Sequence, residues 1–332
     1  MATINDIAQK LGVSKSTVSK GLNHATDISE EMRKKILETA VELGYINKRI
    51  QNKEKKLCIL IENMEYRNPN EFGHDIVYGF KQMAELDDFI VDIIPVDKEY
   101  QRGIPYCVFM LQNGYQGAFV LGFSLIDPWM HDFINTKTPT VLYDNFVPNN
   151  PNVSSIGCDS QEGFNLSVKH LVGLGHKKIG LISGPLESYI TKARYNAYIN
   201  ALEKYGLEFN QDYVALGYYA NETVQLHVHK LYEKGVTALL FSQDIRAISA
   251  ISECNVRGIK IPEDLSLIGF DDLPIAKYTD PPLTTIRQDL LALGKSGYYS
   301  LSCLLNNISI SSILLRAPLI LRGTTGPAKD KS

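Results

Sequence analysis

The chain has 332 residues, 44% of them hydrophobic and 21% charged, with a net charge of −3. That is ordinary globular composition, which excludes fibrous and low-complexity classes and leaves room for two or three domains at roughly 100–200 residues each. No apolar run reaches the ~18 residues of a membrane span, and the N-terminus MATINDIAQK lacks a basic segment followed by an apolar one; a cytoplasmic protein with no membrane partner is expected.

Charge is unevenly spread. Residues 1–56 carry eleven Lys and Arg against seven Asp and Glu, whereas the remainder carries 23 against 30. A basic head on an acidic body is the asymmetry expected when only the head meets phosphate. The five cysteines, Cys58, Cys107, Cys158, Cys254 and Cys303, show no C-x-x-C spacing and read as buried apolar thiols. No metal or cofactor is expected.

Ile4, Ile7, Ala8 and Leu11 recur at i, i+3, i+4 and i+7, one face of a helix. Thr3 and Asp6 stand where a capping pair would open it, and Gly12 breaks it. Ser14 can cap a second short helix that holds Val18 and Leu22. A third helix follows Ser29, with Glu30 and Glu31 in its first turn, an apolar face of Met32, Ile36, Ala40 and Leu43, and Gly44 at its end. Three short helices with a glycine turn between the first two predict a helix-turn-helix head over residues 1–46. The second helix is the one that would enter the major groove. Its outward residues Lys15, Ser16, Thr17, Ser19 and Lys20 are short hydroxyls and cations, suited to phosphates and base edges. A Ser/Thr-rich helix is intrinsically weak, so those side chains serve something other than helix formation.

The segment NKRIQNKEKK, residues 47–56, is charged, lacks apolar periodicity and reads as a linker. Lys48, Arg49, Lys53, Lys55 and Lys56 can meet phosphate there.

From residue 57 to 325, apolar runs alternate with helical patterns. Strands are expected at 57–63, 89–96, 117–123, 140–145, 178–183, 238–242 and 265–270, and helices at 72–87, 160–174, 190–205, 221–234 and 244–257. Such alternation predicts parallel sheets with crossover helices. The strand number predicts two doubly wound lobes, an N-lobe over about 57–159 and 291–317 and a C-lobe over about 160–290 and 318–325, with a tail at 326–332. Open α/β sheets bind ligands beyond the carboxyl ends of their strands. Asp144, Ser183-Gly184, Gln243-Asp244 and Asp271-Asp272 stand at those ends. Carboxylates accept hydrogen bonds from hydroxyls, so a ligand rich in hydroxyl groups fits. Arg194 can donate to it, and Phe72 and Tyr219 can stack on it. Asp244 and Asp271 could equally cap following helices, and His227 and His229 read as surface residues.

The runs TINDIAQKLGVSKSTVSKGLN and ISEEMRKKILETAVELGY resemble the head of the lactose/galactose repressor (LacI/GalR) family. Asp6-Ile7-Ala8, Gly12-Val13-Ser14, Thr17-Val18-Ser19-Lys20 and Leu22-Asn23 match its pattern. The resemblance implies base readout by Lys15, Ser16 and Lys20 and phosphate contacts by Thr17, Ser19 and Asn23; the helix-opening Thr3, Ser14 and Ser29 complete the candidate DNA-binding set with Lys48 and Arg49. The family's linker folds into a hinge helix that wedges a leucine into the minor groove. Here Asn47 stands in place of its proline, Glu54 in place of the leucine, and Ile50 is the one apolar candidate. TALLFSQDIRAISAI and GIKIPEDLSLIGFDDLPIAKYTDPPLTTIRQ are similar to the family's effector domain, itself like periplasmic sugar-binding proteins. Effector contacts implied by the resemblance fall on Phe72, Asp144, Arg194, Tyr219, Gln243, Asp244, Asp271 and Gln288. Gln243 replaces an asparagine usual there, and Asn145 stands where many members have arginine.

The expectation is a sequence-specific transcriptional regulator, a repressor whose homodimer binds a near-palindromic double-stranded DNA operator under control of a small-molecule effector held between the two lobes. A sugar is the expected effector; a purine, an amino acid or a phosphorylated metabolite stays open. The alternative is a sugar-binding protein without DNA regulation. An enzyme is not expected, because no G-x-S-x-G, G-x-x-x-x-G-K-[ST] or metal-spaced cluster is present.

Overall fold

The computed structural model describes residues 2–23, 25, 27–45, 55–217 and 221–329. Lys48, Arg49 and Tyr219 lie outside the described residues, as do Ile50, Lys53 and Glu54. By internal contact the chain forms two units, Met1–Ile156 with Gly294–Ile313, and Gly157–Leu293 with Leu314–Ser332.

The first unit begins with three helices, α1 (Ile4–Leu11), α2 (Lys15–Leu22) and α3 (Glu30–Glu42). Each opens as the sequence predicts. Thr3 and Asp6 form a reciprocal capping box on α1, Ser14 accepts from the Thr17 amide at 3.1 Å, and Ser29 accepts from the Met32 amide at 3.3 Å. Such caps are worth about 1 kcal/mol each, which matters in helices of eight residues. Ile7, Val18, Leu22, Ile36 and Ala40 are buried together. Gly21 lets α2 and α3 touch: a Cβ there would stand 2.7 Å from Ile36 Cδ1.

The rest of this unit is a six-stranded sheet. Its strands are β1 (Lys56–Ile61), β2 (Ile90–Pro95), β3 (Gly117–Leu121), β4 (Thr140–Tyr143), β5 (Val153–Cys158) and β11 (Ser312–Leu315), in the order β11-β5-β4-β3-β1-β2. From β2 to β5 all pairings are parallel. That is the 2-1-3-4-5 order of a doubly wound sheet, whose switch point lies between β1 and β3. Helices α4 (His74–Leu86), α5 (Lys98–Gly103), α6 (Tyr106–Asn113) and α7 (Pro128–Phe133) connect these strands. Under them Trp129 is fully buried, its indole donating to the Ile104 carbonyl at 2.8 Å, and Tyr106 meets Phe133 edge-on. Truncating an aromatic ring of this kind costs about 3–5 kcal/mol.

The second unit repeats the plan. Its strands are β6 (Ile179–Ser183), β7 (Val214–Leu216), β8 (Ala238–Phe241), β9 (Ser266–Asp271), β10 (Thr285–Arg287) and β12 (Leu319–Ile320), in the order β12-β10-β9-β8-β6-β7. All pairs are parallel except β10 with β12. The switch point lies between β6 and β8. Helices α8 (Ser160–Gly173), α9 (Tyr189–Lys204), α10 (Asn221–Glu233) and α11 (Asp244–Arg257) cover the sheet.

The structure bears out a helical head followed by two parallel α/β lobes, and it adds elements the sequence pattern did not reveal. β5, VSSIGC, is buried throughout although half of it is serine and glycine. β7, β10, β11 and β12 have only two to four residues, too few to establish a period. α12 (Leu290–Leu305) carries glycines at 294 and 297 that disguise it. Gly294 is where α12 lies against α4, since a Cβ there would fall 2.1 Å from the Ile76 carbonyl oxygen. Three of the five cysteines are fully buried, while Cys107 and Cys303 are partly exposed. His227 and His229 are half-buried on α10 rather than surface residues, because that helix turns Val224 and Val228 into the core. Among the described residues no helix is long and apolar enough to cross a membrane.

Candidate functional sites

In the head, α2 presents Lys15, Ser16 and Lys20 to solvent, with Thr17 and Ser19 half-exposed. Val18 and Leu22 point the other way into the core. Lys20 is ion-paired with Asp27. Thr17 Oγ1 lies 2.8 Å from Ser14 Oγ, and Asn23 Nδ2 donates to the Ser19 carbonyl at 2.7 Å. Thr3, Ser14 and Ser29 are exposed, and the side chain of each also works as a cap.

At the carboxyl end of the second sheet, Arg194, Asp271 and Gln288 converge although they come from α9, β9 and the residue after β10. Gln288 Nε2 donates to Asp271 Oδ1 at 2.8 Å. Arg194 Nη1 donates to the Ser242 carbonyl at 2.6 Å, stands 3.8 Å from the same Asp271 oxygen, and its guanidinium lies 3.8 Å from the centre of the Phe270 ring. All three side chains are at least nine-tenths buried. Arg194 sits in the second turn of α9.

Asp271 and Asp272 both have positive φ, 116° and 56°, and Asp144 has 49°. Non-glycine residues held this way cost about 1–3 kcal/mol each and cluster at ligand clamps. Asp272 is held by Arg287 Nε at 2.6 Å and Arg322 Nη2 at 2.5 Å.

Neither Asp244 nor Asp271 caps a helix. Gln243 is the residue before α11, without a side-chain cap bond, and Asp244 is the first residue inside it. The Asp244 carboxyl is fully buried, accepting from Thr285 Oγ1 at 2.5 Å and from the Leu273 amide at 2.8 Å. It ties α11 to β10 and to the turn after β9. Burial, with the Asp271 charge added, pushes its pKa up to about 8.

At the carboxyl end of the first sheet, the Phe72 ring lies 6.5 Å from that of Tyr143, the residue before Asp144. Phe72 precedes α4, so the helix expected from residue 72 starts two residues later. Asn145 is turned inward, donating to the Phe123 carbonyl at 3.0 Å.

Two pairings escaped the sequence pattern. Arg246, buried in the first turn of α11, donates to the Ser183 carbonyl at 3.3 Å. The Ser183 hydroxyl, buried at the end of β6, has no hydrogen-bond partner among the described residues. An arginine two residues after a strand-end acid was the available signal for Arg246. The second involves Glu62, directly after β1. It accepts from Gln101 Nε2 at 2.7 Å and meets Asp127, whose Oδ1 is 3.1 Å from Lys98 Nζ. Burial and the hydrogen bond to Asp127 push Glu62 up to about 7. The two Ser124 hydrogen bonds and Glu62 hold Asp127 low against its burial.

Residues 3–48 match the model of bacterial regulatory proteins, lacI family, and residues 168–325 match the periplasmic binding protein-like domain. The HTH-type transcriptional repressor PurR of Aliivibrio salmonicida is 29% identical, covering 89% of this chain and 90% of its own. The HTH-type transcriptional repressor CytR of Escherichia coli is 27% identical, covering 98% and 96%. Among solved structures, the lac repressor bound to ONPG superposes with a TM-score of 0.68 at 25% identity, covering 98% of this chain and 99% of its own. A regulatory protein of the LacI family from Chloroflexus aggregans superposes at 0.72 with 23% identity over 82% of this chain and 98% of its own. The chain thus carries a lacI-family helix-turn-helix head and a periplasmic-binding-protein-like body, and along nearly its whole length it is similar to DNA-binding transcriptional repressors.

Proposed function

We propose that the chain is a transcriptional repressor whose homodimer grips a near-palindromic DNA operator and whose grip is set by a small polyhydroxylated effector, a sugar. Lys15, Ser16 and Lys20 read bases; Thr3, Ser14, Thr17, Ser19, Asn23 and Ser29, with Lys48 and Arg49 of the linker, serve phosphates. The work is done on DNA in the cytoplasm. Effector contacts are assigned to Phe72, Asp144, Arg194, Asp271 and Gln288, with Gln243 and Tyr219 beside them and Asp244 bracing the floor.

The observation that carries the reading is the convergence of Arg194, Asp271 and Gln288 at the ligand end of the second sheet. A carboxylate that accepts, beside a guanidinium and an amide that donate, suits vicinal hydroxyls. The complex of the similar lac repressor with ONPG supports a sugar-like ligand. Coupling of about 1–3 kcal/mol between effector and operator would change operator affinity about 5–150-fold. Titrating a panel of mono- and disaccharides into the full chain by calorimetry, then repeating the hit in an operator-binding assay, tests it. A sugar that binds and shifts operator affinity is expected; sugar binding that leaves operator affinity untouched would defeat the regulatory reading.

A further inference from the structure

The helix α6 is apolar on both sides. Tyr106, Phe109 and Met110 face the core of the first lobe. A helix apolar all round needs a cover on its second side. Val108 and Leu111, three apart, lie on that side, and Ile104, two residues before the helix, packs beside them.

The structure shows what covers it. Val108 is only 5% exposed and belongs to the core of the head, with Ile36, Leu37 and Ala40 of α3; Ile104 and Leu111 pack against the same cluster. The contact is a narrow ridge. On one flank a cleft of about 370 Å³ opens among Val41, Tyr45, Met110 and Tyr115. On the other, one of about 340 Å³ opens among Arg33, Lys34, Pro105 and Gln112. A small apolar ridge between clefts can part without unfolding either side. With α3 held against α6, Lys15, Ser16 and Lys20 of α2 remain exposed, so the docked head is ready for DNA.

We propose that the Ile104–Val108–Leu111 stripe is a docking surface for the chain's own head, and that this contact carries the lobe's signal to the recognition helix. This rests on the operator-binding reading above. The stripe holds α3 of the head directly against the lobe. Losing the docked arrangement costs operator affinity because an undocked head must be ordered on binding.

The test uses the full chain with Val108→Asp and, as a milder variant, Leu111→Gln. Hydrogen exchange without DNA comes first. Segments 30–42 and 104–113 should exchange faster in the variants, while strands 57–61 and 117–121 keep wild-type protection. If Val108→Asp also loosens those strands, Leu111→Gln decides. Unchanged protection of 30–42 in the variant that keeps its strands would overturn the docking surface. Operator titration comes second: affinity should fall on the order of tenfold and the effector response should shrink toward none. Lost docking with operator affinity and effector response intact would overturn the signalling role. If the wild-type chain bound no operator at all, the repressor reading would fail while the exchange result still judged the docking surface.

Discussion

Lys20, on the exposed face of α2, is ion-paired with Asp27 from the segment leading into α3. A cation proposed for base readout is thus paired within the chain. Both side chains are about half-exposed, and an exposed pair is worth at most about 1 kcal/mol. A good base contact is worth about 1–3 kcal/mol, so the proposed contact would outcompete the ion pair.

Asp27→Asn should therefore tighten operator binding several-fold, by releasing Lys20 and removing a like charge to phosphate. Lys20→Ala should weaken it about tenfold and relax sequence preference at one base pair. Fluorescence anisotropy on cognate and single-substitution duplexes reads both. Equal affinity of Lys20→Ala for all duplexes, at the wild-type value, would remove Lys20 from the readout.

Asp271→Ala should abolish effector binding and leave operator affinity within about twofold of wild type, because the two sites are carried by separate folding elements. Removing this carboxylate takes away an acceptor that faces both the Gln288 amide and the Arg194 guanidinium. Some stability will go with it, on the order of 1–3 kcal/mol. Calorimetry with the sugar that binds wild type decides the matter, and normal binding by the variant would reassign the site.

Stability should fall as pH rises through neutrality. Glu62 titrates near 7 and Asp244 near 8 in the folded chain, both above their unfolded values. The native state then holds more protons than the unfolded one, so the contribution is complete below about pH 4 and is lost as pH climbs through these values. Glu62→Gln keeps a donor for Asp127 and cannot ionise. It should recover on the order of 1–2 kcal/mol at pH 8.5 relative to wild type, since each tenfold change in proton affinity is worth ~1.4 kcal/mol, with little change at pH 5. Parallel melting curves whose difference does not vary with pH would rule out the shared proton.

Gly21→Val should destabilise the head by about 1–3 kcal/mol through overpacking. Its side chain would enter the space of Ile36, which is fully buried, and valine brings little helix propensity in return. Loss of operator binding at a temperature where the lobes remain folded is the expected readout; a variant as stable as wild type would contradict the tight α2–α3 contact.

How much was legible in the sequence depends on distance along the chain. The head was legible because its caps and its i, i+4 contacts are local, as Thr3 with Asp6 and Ser14 with Thr17 show. The long β-strands were legible because a buried parallel strand is a continuous apolar run, as in Leu57–Ile61. Asp144 and Asp271 followed from strand ends alone. Glu62 with Asp127, and Ser183 with Arg246, were not legible, since each pair forms only when separate crossovers bring two elements together. The outward face of α6 was hidden for another reason: a helix apolar on both sides has no period that says which side is the core.

The central proposal is that an effector in the α/β body controls a sequence-reading head. An operator titration of the full chain probes that control directly, on a duplex selected from a randomised pool, with and without a saturating sugar at two salt concentrations. Tight binding to one near-palindromic sequence is expected, with a steep loss as salt rises and a shift of about 5–150-fold with the sugar. Binding that ignores sequence, or that no sugar in the panel alters, would contradict it.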